Sequence, residues 1–263
     1  MRISDPITDG AAAPVDAPAH LPPPPLLLPN PAALFLDMDG VLAPLAATPD
    51  AVVPNPCRTA ALIAVADRLG GRVAILSGRT IAEIDRIAEV HSAPASGVHG
   101  LERRRADGSL HRAAPAPEVR AAVSAFEDFA RDRPGIIVED KAVSAGLHYR
   151  GAPAEADAAV TLAETLADET GLTLQAGNLV VELKTPGTSK GTALNAFMQE
   201  APFAGAVPVM LGDDLTDEDG FRAATALGGF GVLVGPPRQT AARYSLAGVA
   251  EVLAWLNAVE ERA

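Results

Sequence analysis

Short apolar runs alternate with longer amphipathic segments from residue 33 onward. The apolar runs at 33–36 and 73–76 predict strands buried inside a sheet, and the segments 57–69 and 80–90 predict helices. This βαβα order is typical of an α/β fold in which a parallel sheet is covered by helices on both faces.

The pattern changes over the middle of the chain. Helices are predicted at 117–131 and 154–170, and four short strands at 136–138, 143–149, 172–174 and 179–183. Within the second of these strands, apolar residues alternate with polar or small ones, which is typical of a strand covered on one face. The order αββαββ predicts a small antiparallel sheet with two helices, an α+β module inserted at 107–185.

The first pattern resumes after the insertion. Helices are predicted at 190–198 and 249–259, and buried strands at 207–211 and 232–234. The core is therefore predicted to consist of residues 31–106 and 186–263. Residues 1–30 are rich in Ala and Pro and predict a disordered tail.

Two residue pairs stand at the spacing of a capping box, in which side chains bond the free amides of a helix start. Thr80 and Glu83 predict the start of the helix at 80–90, and Thr216 and Asp219 predict the start of a further helix.

Composition and charge restrict the partners. The chain has 263 residues, 48% of them hydrophobic, and a net charge of −12. This charge disfavours nonspecific binding to nucleic acid or to an anionic membrane. No apolar run approaches the ~18 residues of a membrane span, and no signal-peptide pattern is present. Cys57 is the only cysteine, which fits a reducing compartment. We expect a cytoplasmic monomer with no nucleic-acid or membrane partner.

Asp37 and Asp39 directly follow the predicted strand at 33–36. Side chains at i and i+2 of an extended segment point to the same side, so the two carboxylates would converge and repel unless a cation or shared proton compensates. A turn or helix cap is the plainer alternative. A calcium loop of the EF-hand type is rejected, because it would need an oxygen ligand at Val41 and a glutamate at Thr48.

Polar residues also follow two other predicted core strands: Ser77-Gly78-Arg79 and Asp213-Asp214. The carboxyl ends of parallel strands meet at one edge of the sheet, where such folds bind ligands. Oxygen ligands without nearby histidine or cysteine favour a hard cation, and we expect Mg²⁺. None of the five histidines pairs at metal-ligand spacing, so zinc is not expected.

These groups together suggest phosphoryl transfer. Lys190, at a predicted helix start, would supply positive charge, and Ser77 with its neighbouring amides would bind an oxyanion. Ser77 is not expected to be the nucleophile of a G-x-S-x-G elbow, since position 75 is Ile75. Asp37 would attack phosphorus, and Asp39 would act as general acid and base.

Four motifs occur in the order found in the haloacid-dehalogenase superfamily of phosphatases: D-M-D-G-V at 37–41, L-S-G-R at 76–79, T-S-K-G at 188–191 and G-D-D-L-T-D-E-D at 212–219. With G-V-H-G at 97–100 and V-E-L-K at 181–184, the set resembles the trehalose-6-phosphate phosphatase family over about residues 32–256. The resemblance implies a Rossmannoid core with a cap domain, Mg²⁺ and a sugar-phosphate substrate in trehalose biosynthesis.

The resemblance also implies roles for individual residues. Asp37 would be the nucleophile and Asp39 the acid/base. Mg²⁺ would be bound by Asp37, Asp213 and the main-chain carbonyl of Asp39, with Asp214 nearby and Asp217 reaching it through water. The remaining expected site residues are Ser77, Gly78 and Lys190 for the phosphoryl group, Glu139, Lys141 and Glu182 for the sugar hydroxyls, and His148, Arg150 and Arg79 as further neighbours. Another sugar phosphate as substrate, or a noncatalytic module that senses sugar phosphates, stays open as an alternative.

Overall fold

The computed structural model describes residues 21–262 except 47, 115 and 178. Its fourteen described strands are β1 Leu27–Leu28, β2 Ala32–Leu36, β3 Val73–Leu76, β4 Ala95–Gly97, β5 Glu102–Arg104, β6 Leu110–Arg112, β7 Ile137–Asp140, β8 Ser144–His148, β9 Thr173–Gly177, β10 Val180–Lys184, β11 Val207–Gly212, β12 Phe230–Val234, β13 Tyr244–Leu246 and β14 Glu260–Glu261. The α-helices described are α1 Pro56–Arg68, α2 Ile81–Ala88, α3 Glu118–Ala130, α4 Ala156–Thr170, α5 Lys190–Met198, α6 Glu218–Ala226 and α7 Val249–Ala258.

The large sheet has eight strands in the order β13-β12-β11-β2-β3-β4-β5-β6. The strands from β13 to β4 are parallel, and β5 and β6 extend the sheet as an antiparallel hairpin. All five residues of β2 are buried, as expected of a central strand covered on both faces. The predicted α/β fold with a parallel sheet is confirmed.

Two apolar layers cover this sheet. Ile84 and Leu256 of α2 and α7 belong to the layer on one face. Phe197 of α5 belongs to the layer on the other, where the Phe35 and Phe203 rings stack with centroids 5.5 Å apart. Burial on both faces explains why the core strands are continuous apolar runs rather than alternating patterns.

The small sheet has four antiparallel strands in the order β7-β8-β10-β9. Helices α3 and α4 pack on it through Phe126 and Ala163, which share a buried cluster with Leu147 and Leu183. The bounds 107–185 for an inserted module stay a prediction. Strand β6, which belongs to the large sheet, lies inside those bounds.

The predicted disordered tail is wrong for its final residues. Strand β1 pairs in parallel with β14, and Leu28 is completely buried. The carbonyls of Pro22 and Pro25 accept hydrogen bonds from Ser245 N (3.0 Å) and Trp255 Nε1 (3.1 Å). Proline lacks an N–H but keeps its carbonyl, so a proline-rich segment can dock in this way. The rest of the predicted tail, 1–20, lies outside the described residues.

One capping box also differs from expectation. The Thr80–Glu83 box is confirmed at the start of α2. The second box is formed by Asp214 and Asp217 around a short 3₁₀ turn, not by Thr216 and Asp219.

No helix in the described part of the chain is long and apolar enough to cross a membrane. The expected cytoplasmic location and monomeric state stay predictions.

Candidate active site

The carboxyl ends of β2, β3 and β11 lie side by side, and each is followed by polar residues. Asp37 continues β2 and donates its N–H to the Leu211 carbonyl at 3.1 Å. Carboxylate oxygens of Asp37, Asp213 and Asp217 all lie within 4.8 Å of one another. Parallel strand order thus brings together carboxylates that are far apart in sequence.

Two glycines make room for this cluster. Gly40 has φ +76°, and a Cβ there would lie 2.0 Å from Asp213 Oδ2. A Cβ at Gly212 would lie 2.2 Å from Asp217 Cγ. Since real Cβ atoms do not approach so closely, the acidic side chains need glycine at both positions.

Lys190 bridges two members of the cluster and is only 3% exposed. Its Nζ is 3.0 Å from Asp37 Oδ2 and 2.6 Å from Asp217 Oδ1. The other oxygen of Asp217 accepts the N–H groups of Asp213 (2.9 Å) and Asp214 (3.0 Å). Asp217 therefore links the lysine to the backbone of the loop after β11.

Burial and crowding change the titration of these groups. Burial raises the pKa of Asp37 well above its ordinary value, and the Asp217 and Asp213 carboxylates add to the effect while Lys190 opposes it. Burial, with the charge of Asp217, raises the pKa of Asp213 to about 7. Burial lowers the pKa of Lys190, but Asp217 and Asp37 more than offset it, so that pKa is raised overall. An added positive charge beside these carboxylates would therefore stabilise the cluster.

Asp39 is placed differently from the other carboxylates. Both of its oxygens accept hydrogen bonds from Arg79, at 2.7 Å from Nε and 2.8 Å from Nη2. Arg79 also contacts Glu83 Oε1 at 3.2 Å, and Glu83 is fixed by the capping box with Thr80. Arg79, expected as a neighbour of the substrate, contacts the carboxylate expected to act as acid and base.

Ser77 and Gly78 form the loop between β3 and α2. Ser77 is buried, and its Oγ accepts the Arg79 N–H at 3.2 Å. Gly78 packs tightly against His99, since a Cβ at position 78 would lie 2.5 Å from His99 Nε2. The loop precedes the start of α2, where helices present free backbone amides to anions.

Asp214 was predicted near the metal, but its carboxylate lies outside the cluster of three. Its Oδ1 accepts the Leu215 N–H as a cap of the short turn. Its Oδ2 lies 3.7 Å from where a Cβ on Gly177 would stand, so it faces β9 of the small sheet.

The small sheet faces the carboxylate cluster with a chain of charged side chains. Lys141 Nζ is 3.2 Å from Glu182 Oε2 and 3.5 Å from Glu139 Oε2. His148 Nε2 is 2.8 Å from the same oxygen of Glu139. Lys141 also donates to the Gly78 carbonyl at 3.0 Å, so it joins the two sheets.

These contacts keep Glu182 and Lys141 charged despite their burial. Burial alone would raise the pKa of Glu182, but the neighbouring Lys141 ammonium lowers it far below its usual range. Burial lowers the pKa of Lys141, yet Glu182 and Glu139 raise it overall. Glu182 also lines the cavity between the two sheets, and a hydrogen bond from the Ser144 hydroxyl further lowers its pKa.

Arg150 makes a second connection between the sheets by donating to the Ala46 carbonyl. A single cavity of about 910 Å³ is lined by Asp37, Lys190 and Asp213 on one side and by Lys141, His148 and Glu182 on the other. The residues expected for phosphate and those expected for sugar therefore share one cavity.

Sequence reasoning missed His99 and Gln175, and it underestimated Asp217. His99 and Gln175 both line the cavity and contact each other across the two sheets. The motif G-V-H-G contained the signal for His99, but the motif alone does not say what the imidazole touches. Asp217 could have been recognised from its place three residues after Asp214, the spacing of a capping box.

A parallel core sheet with an aspartate cluster at its carboxyl edge, faced by a second α+β unit, is the arrangement expected of a phosphatase that uses an aspartate nucleophile. The model of the trehalose-phosphatase family matches residues 35–250. This chain belongs to the trehalose-phosphatase family and is a phosphoric monoester hydrolase.

Individual relatives agree with this assignment. The chain is similar to the trehalose-6-phosphate phosphatase of Escherichia coli K12, with 42% identity over 229 residues that cover 86% of each protein. It is also similar to a probable trehalose-phosphate phosphatase of Sinorhizobium fredii, with 37% identity and 78% coverage of each. The trehalose-6-phosphate phosphatase C-terminal domain of C. albicans has the same fold, with a TM-score of 0.79 at 23% identity over 90% of this chain and 97% of that one.

Proposed function

We propose that this protein hydrolyses trehalose 6-phosphate to trehalose and phosphate, with Mg²⁺, through a phosphoryl group carried transiently on Asp37. The single observation that supports this best is the shared cavity. It has a lysine–carboxylate cluster on the core side and the Glu182–Lys141 pair on the other. A phosphate monoester of a polyhydroxylated sugar has matching chemistry at its two ends.

The residues present fit a magnesium ion. Asp37, Asp213 and Asp217 offer only oxygen ligands, and the missing side chain of Gly40 leaves room for the Asp213 carboxylate. The raised pKa values of Asp37 and Asp213 are those of carboxylates short of positive charge. Asp37 and Asp213 would bind the ion directly with the main-chain carbonyl of Asp39, while Asp217 stays bonded to Lys190. When bound, Mg²⁺ would neutralise charge on the phosphoryl oxygens.

Asp37 would act as the nucleophile. One of its oxygens attacks phosphorus, the bond from phosphorus to the sugar oxygen breaks, and an acyl phosphate forms on Asp37. Lys190, Ser77 and the amides before α2 would hold the remaining phosphoryl oxygens. Lys190 already lies 3.0 Å from Asp37 Oδ2, which is the place where phosphoryl charge would develop.

Asp39 would move protons in both half-reactions. It gives a proton to the departing sugar oxygen, and in the second step takes one from the water that attacks the acyl phosphate and regenerates Asp37. Arg79 holds both Asp39 oxygens and so fixes the orientation of the carboxylate, while each oxygen keeps a second lone pair for the proton.

Sugar recognition would come from the small sheet. Glu182, Lys141, Glu139 and His148 line this wall of the cavity and would bind sugar hydroxyls. A substrate without those hydroxyls would leave hydrogen bonds to these charged groups unmade, which is costly and therefore selective.

The test is phosphate release from trehalose 6-phosphate, glucose 6-phosphate and sucrose 6-phosphate with and without Mg²⁺, with Asp37→Asn as the blank. We expect strong, metal-dependent release from trehalose 6-phosphate alone, and none from the variant. Selective release from another ester would keep the core chemistry and overturn the proposed substrate. No release from any ester would favour a noncatalytic sensor of sugar phosphates.

A further inference from the structure

His99 lies in a turn whose backbone is unusual for its sequence. Val98 has φ 46° and His99 has φ 52°, the left-handed region that is disfavoured for residues with a side chain, and most of all for β-branched ones. Two backbone hydrogen bonds hold the turn: Val98 N to Arg79 O at 2.9 Å and His99 N to Ser77 O at 3.0 Å. The loop that would bind phosphate therefore holds the histidine in a conformation it would not adopt alone.

The imidazole of His99 is buried at the boundary between the two sheets. On the core side it packs against Gly78, where even a methyl group would lie 2.5 Å from its Nε2. On the other side, Nε2 is 2.7 Å from Gln175 Nε2 and 3.7 Å from Glu182 Oε2. Gln175 and Glu182 are direct cross-strand partners on β9 and β10. One core side chain thus contacts a matched pair on the small sheet.

The contacts of Lys184 determine which group donates in the hydrogen bond between His99 and Gln175. Its ammonium, which can only donate, is 2.8 Å from Gln175 Oε1. The amide NH₂ of Gln175 therefore faces His99, whose Nε2 must accept. The ring is then neutral with its proton on Nδ1, in agreement with the effect of burial, which lowers the pKa of His99.

Lys141 closes the arrangement from the other direction. It donates to the Gly78 carbonyl and lies beside the same Glu182 oxygen that approaches His99. Gly78 is consequently connected to Glu182 through Lys141, and it packs against His99, which bonds Gln175, the cross-strand partner of Glu182. The proposed mechanism uses Lys141 and Glu182 but gives His99 no part.

We propose that His99 is a positioning residue for substrate selection: from the core, it binds Gln175 and thereby holds Glu182, the cross-strand partner of Gln175, in place over the phosphate-binding loop. This inference rests on the proposed function, since it deepens the role of Glu182 in reading the sugar. It assigns to the core, and not only to the small sheet, part of the discrimination between a disaccharide phosphate and a simple ester.

The experiment compares His99→Ala and His99→Gln with His111→Ala, which changes an exposed histidine on β6. For His99→Ala we expect kcat/KM to fall at least ~10-fold on trehalose 6-phosphate and less than ~3-fold on p-nitrophenyl phosphate. Glutamine retains a hydrogen-bonding group near the position of Nε2, so His99→Gln should recover much of the loss. His111→Ala should behave as wild type on both esters.

A double-mutant cycle separates positioning from general damage. If His99 acts through Glu182, then His99→Ala should change kcat/KM on trehalose 6-phosphate less than ~2-fold in a Glu182→Ala background. Equal losses on both esters, or fully additive losses in the cycle, would overturn the inference.

A readout without turnover distinguishes this inference from the proposed function. We expect His99→Ala, but not His111→Ala, to speed amide hydrogen exchange in peptides spanning 137–148 and 173–184. If the wild type releases no phosphate from trehalose 6-phosphate, the proposed function fails and exchange alone decides for His99. Unchanged exchange would then refute the positioning role.

Discussion

The guanidinium of Arg79 holds both carboxylate oxygens of Asp39, at 2.7 Å and 2.8 Å. Such a two-point pair fixes a carboxylate more firmly than a single hydrogen bond does. Each carboxylate oxygen keeps a second lone pair, through which Asp39 would exchange protons. The orientation of the proposed acid/base group is thus set by Arg79.

Arg79→Lys tests this relationship. Lysine cannot form the two-point pair, so we expect kcat on trehalose 6-phosphate and on p-nitrophenyl phosphate to fall together, by about 10- to 100-fold. The matched control is Arg222→Lys, which changes an exposed ion pair with Asp219 and should leave kcat unaltered. A loss confined to trehalose 6-phosphate would instead mean that Arg79 contacts the sugar, as first expected.

Gly40→Ala tests the space beside Asp213. The new methyl group would overlap the Asp213 carboxylate and displace it, so we expect Mg²⁺ affinity and kcat/KM to fall more than ~100-fold. Gly108→Ala is a close control, since Gly108 also has positive φ (+82°) but nothing within 4 Å of its added Cβ. Both variants bear about 1–2 kcal/mol of backbone strain. Isothermal titration calorimetry measures the Mg²⁺ affinity of each variant and so distinguishes displacement of Asp213 from backbone strain. Equal affinity in the two variants would contradict the prediction.

Asp213→Asn tests the electrostatic cost of the cluster without metal. Burial raises the pKa of Asp213 to about 7, so the folded state binds this proton more tightly than the unfolded state. The free energy of unfolding should therefore fall as pH rises from about 4 to about 7. The neutral amide avoids this loss, and the variant should exceed the wild type by up to about 4 kcal/mol at pH 8.

Urea unfolding in EDTA at pH 4 and pH 8 measures this difference, with the exposed Asp132→Asn as control. Asp213→Asn should also lose the stabilisation that Mg²⁺ gives the wild type. A difference between Asp213→Asn and wild type that does not change with pH would show that burial of this carboxylate is not costly.

Glu182→Gln tests sugar recognition with almost no change of shape. Removing the charge weakens the bond to a sugar hydroxyl and leaves Lys141 with one buried partner fewer. We expect kcat/KM to fall ~100-fold or more on trehalose 6-phosphate and at least ten times less on p-nitrophenyl phosphate. Glu164→Gln, an exposed change on α4, serves as control. Similar losses on both esters would rule out a recognition role.

Most of the fold could be predicted because its elements follow from local patterns. Helix α5 begins and ends at the predicted residues 190 and 198, and the αββαββ order of the small unit was found from periodicity. The strand-end carboxylates could be placed together because parallel strands share a carboxyl edge.

The features that could not be predicted from the sequence depend on contacts between residues that are far apart along the chain. Hairpin β5–β6 could not be predicted because Glu102, Arg103 and Arg104 are consecutive charges with no apolar alternation. Arg103 and Arg104 form ion pairs with other parts of the core, and Glu102 pairs with Arg112 across the hairpin. Strand β1 could not be predicted from local patterns, because its partner β14 lies more than 200 residues later in the chain. The pairing of Asp39 with Arg79 and the position of His99 likewise need the assembled structure.

The position of β2 between β3 and β11 has a consequence for biosynthesis. Phe35 packs on Phe197 and Phe203, which leave the ribosome long after it, whereas the small sheet needs only neighbouring segments. The small unit can therefore fold on the nascent chain while the core still lacks one flank of its central strand. Until Phe197 and Phe203 have been synthesised, one face of the apolar strand β2 stays uncovered. At this stage of synthesis the chain is most prone to misassembly.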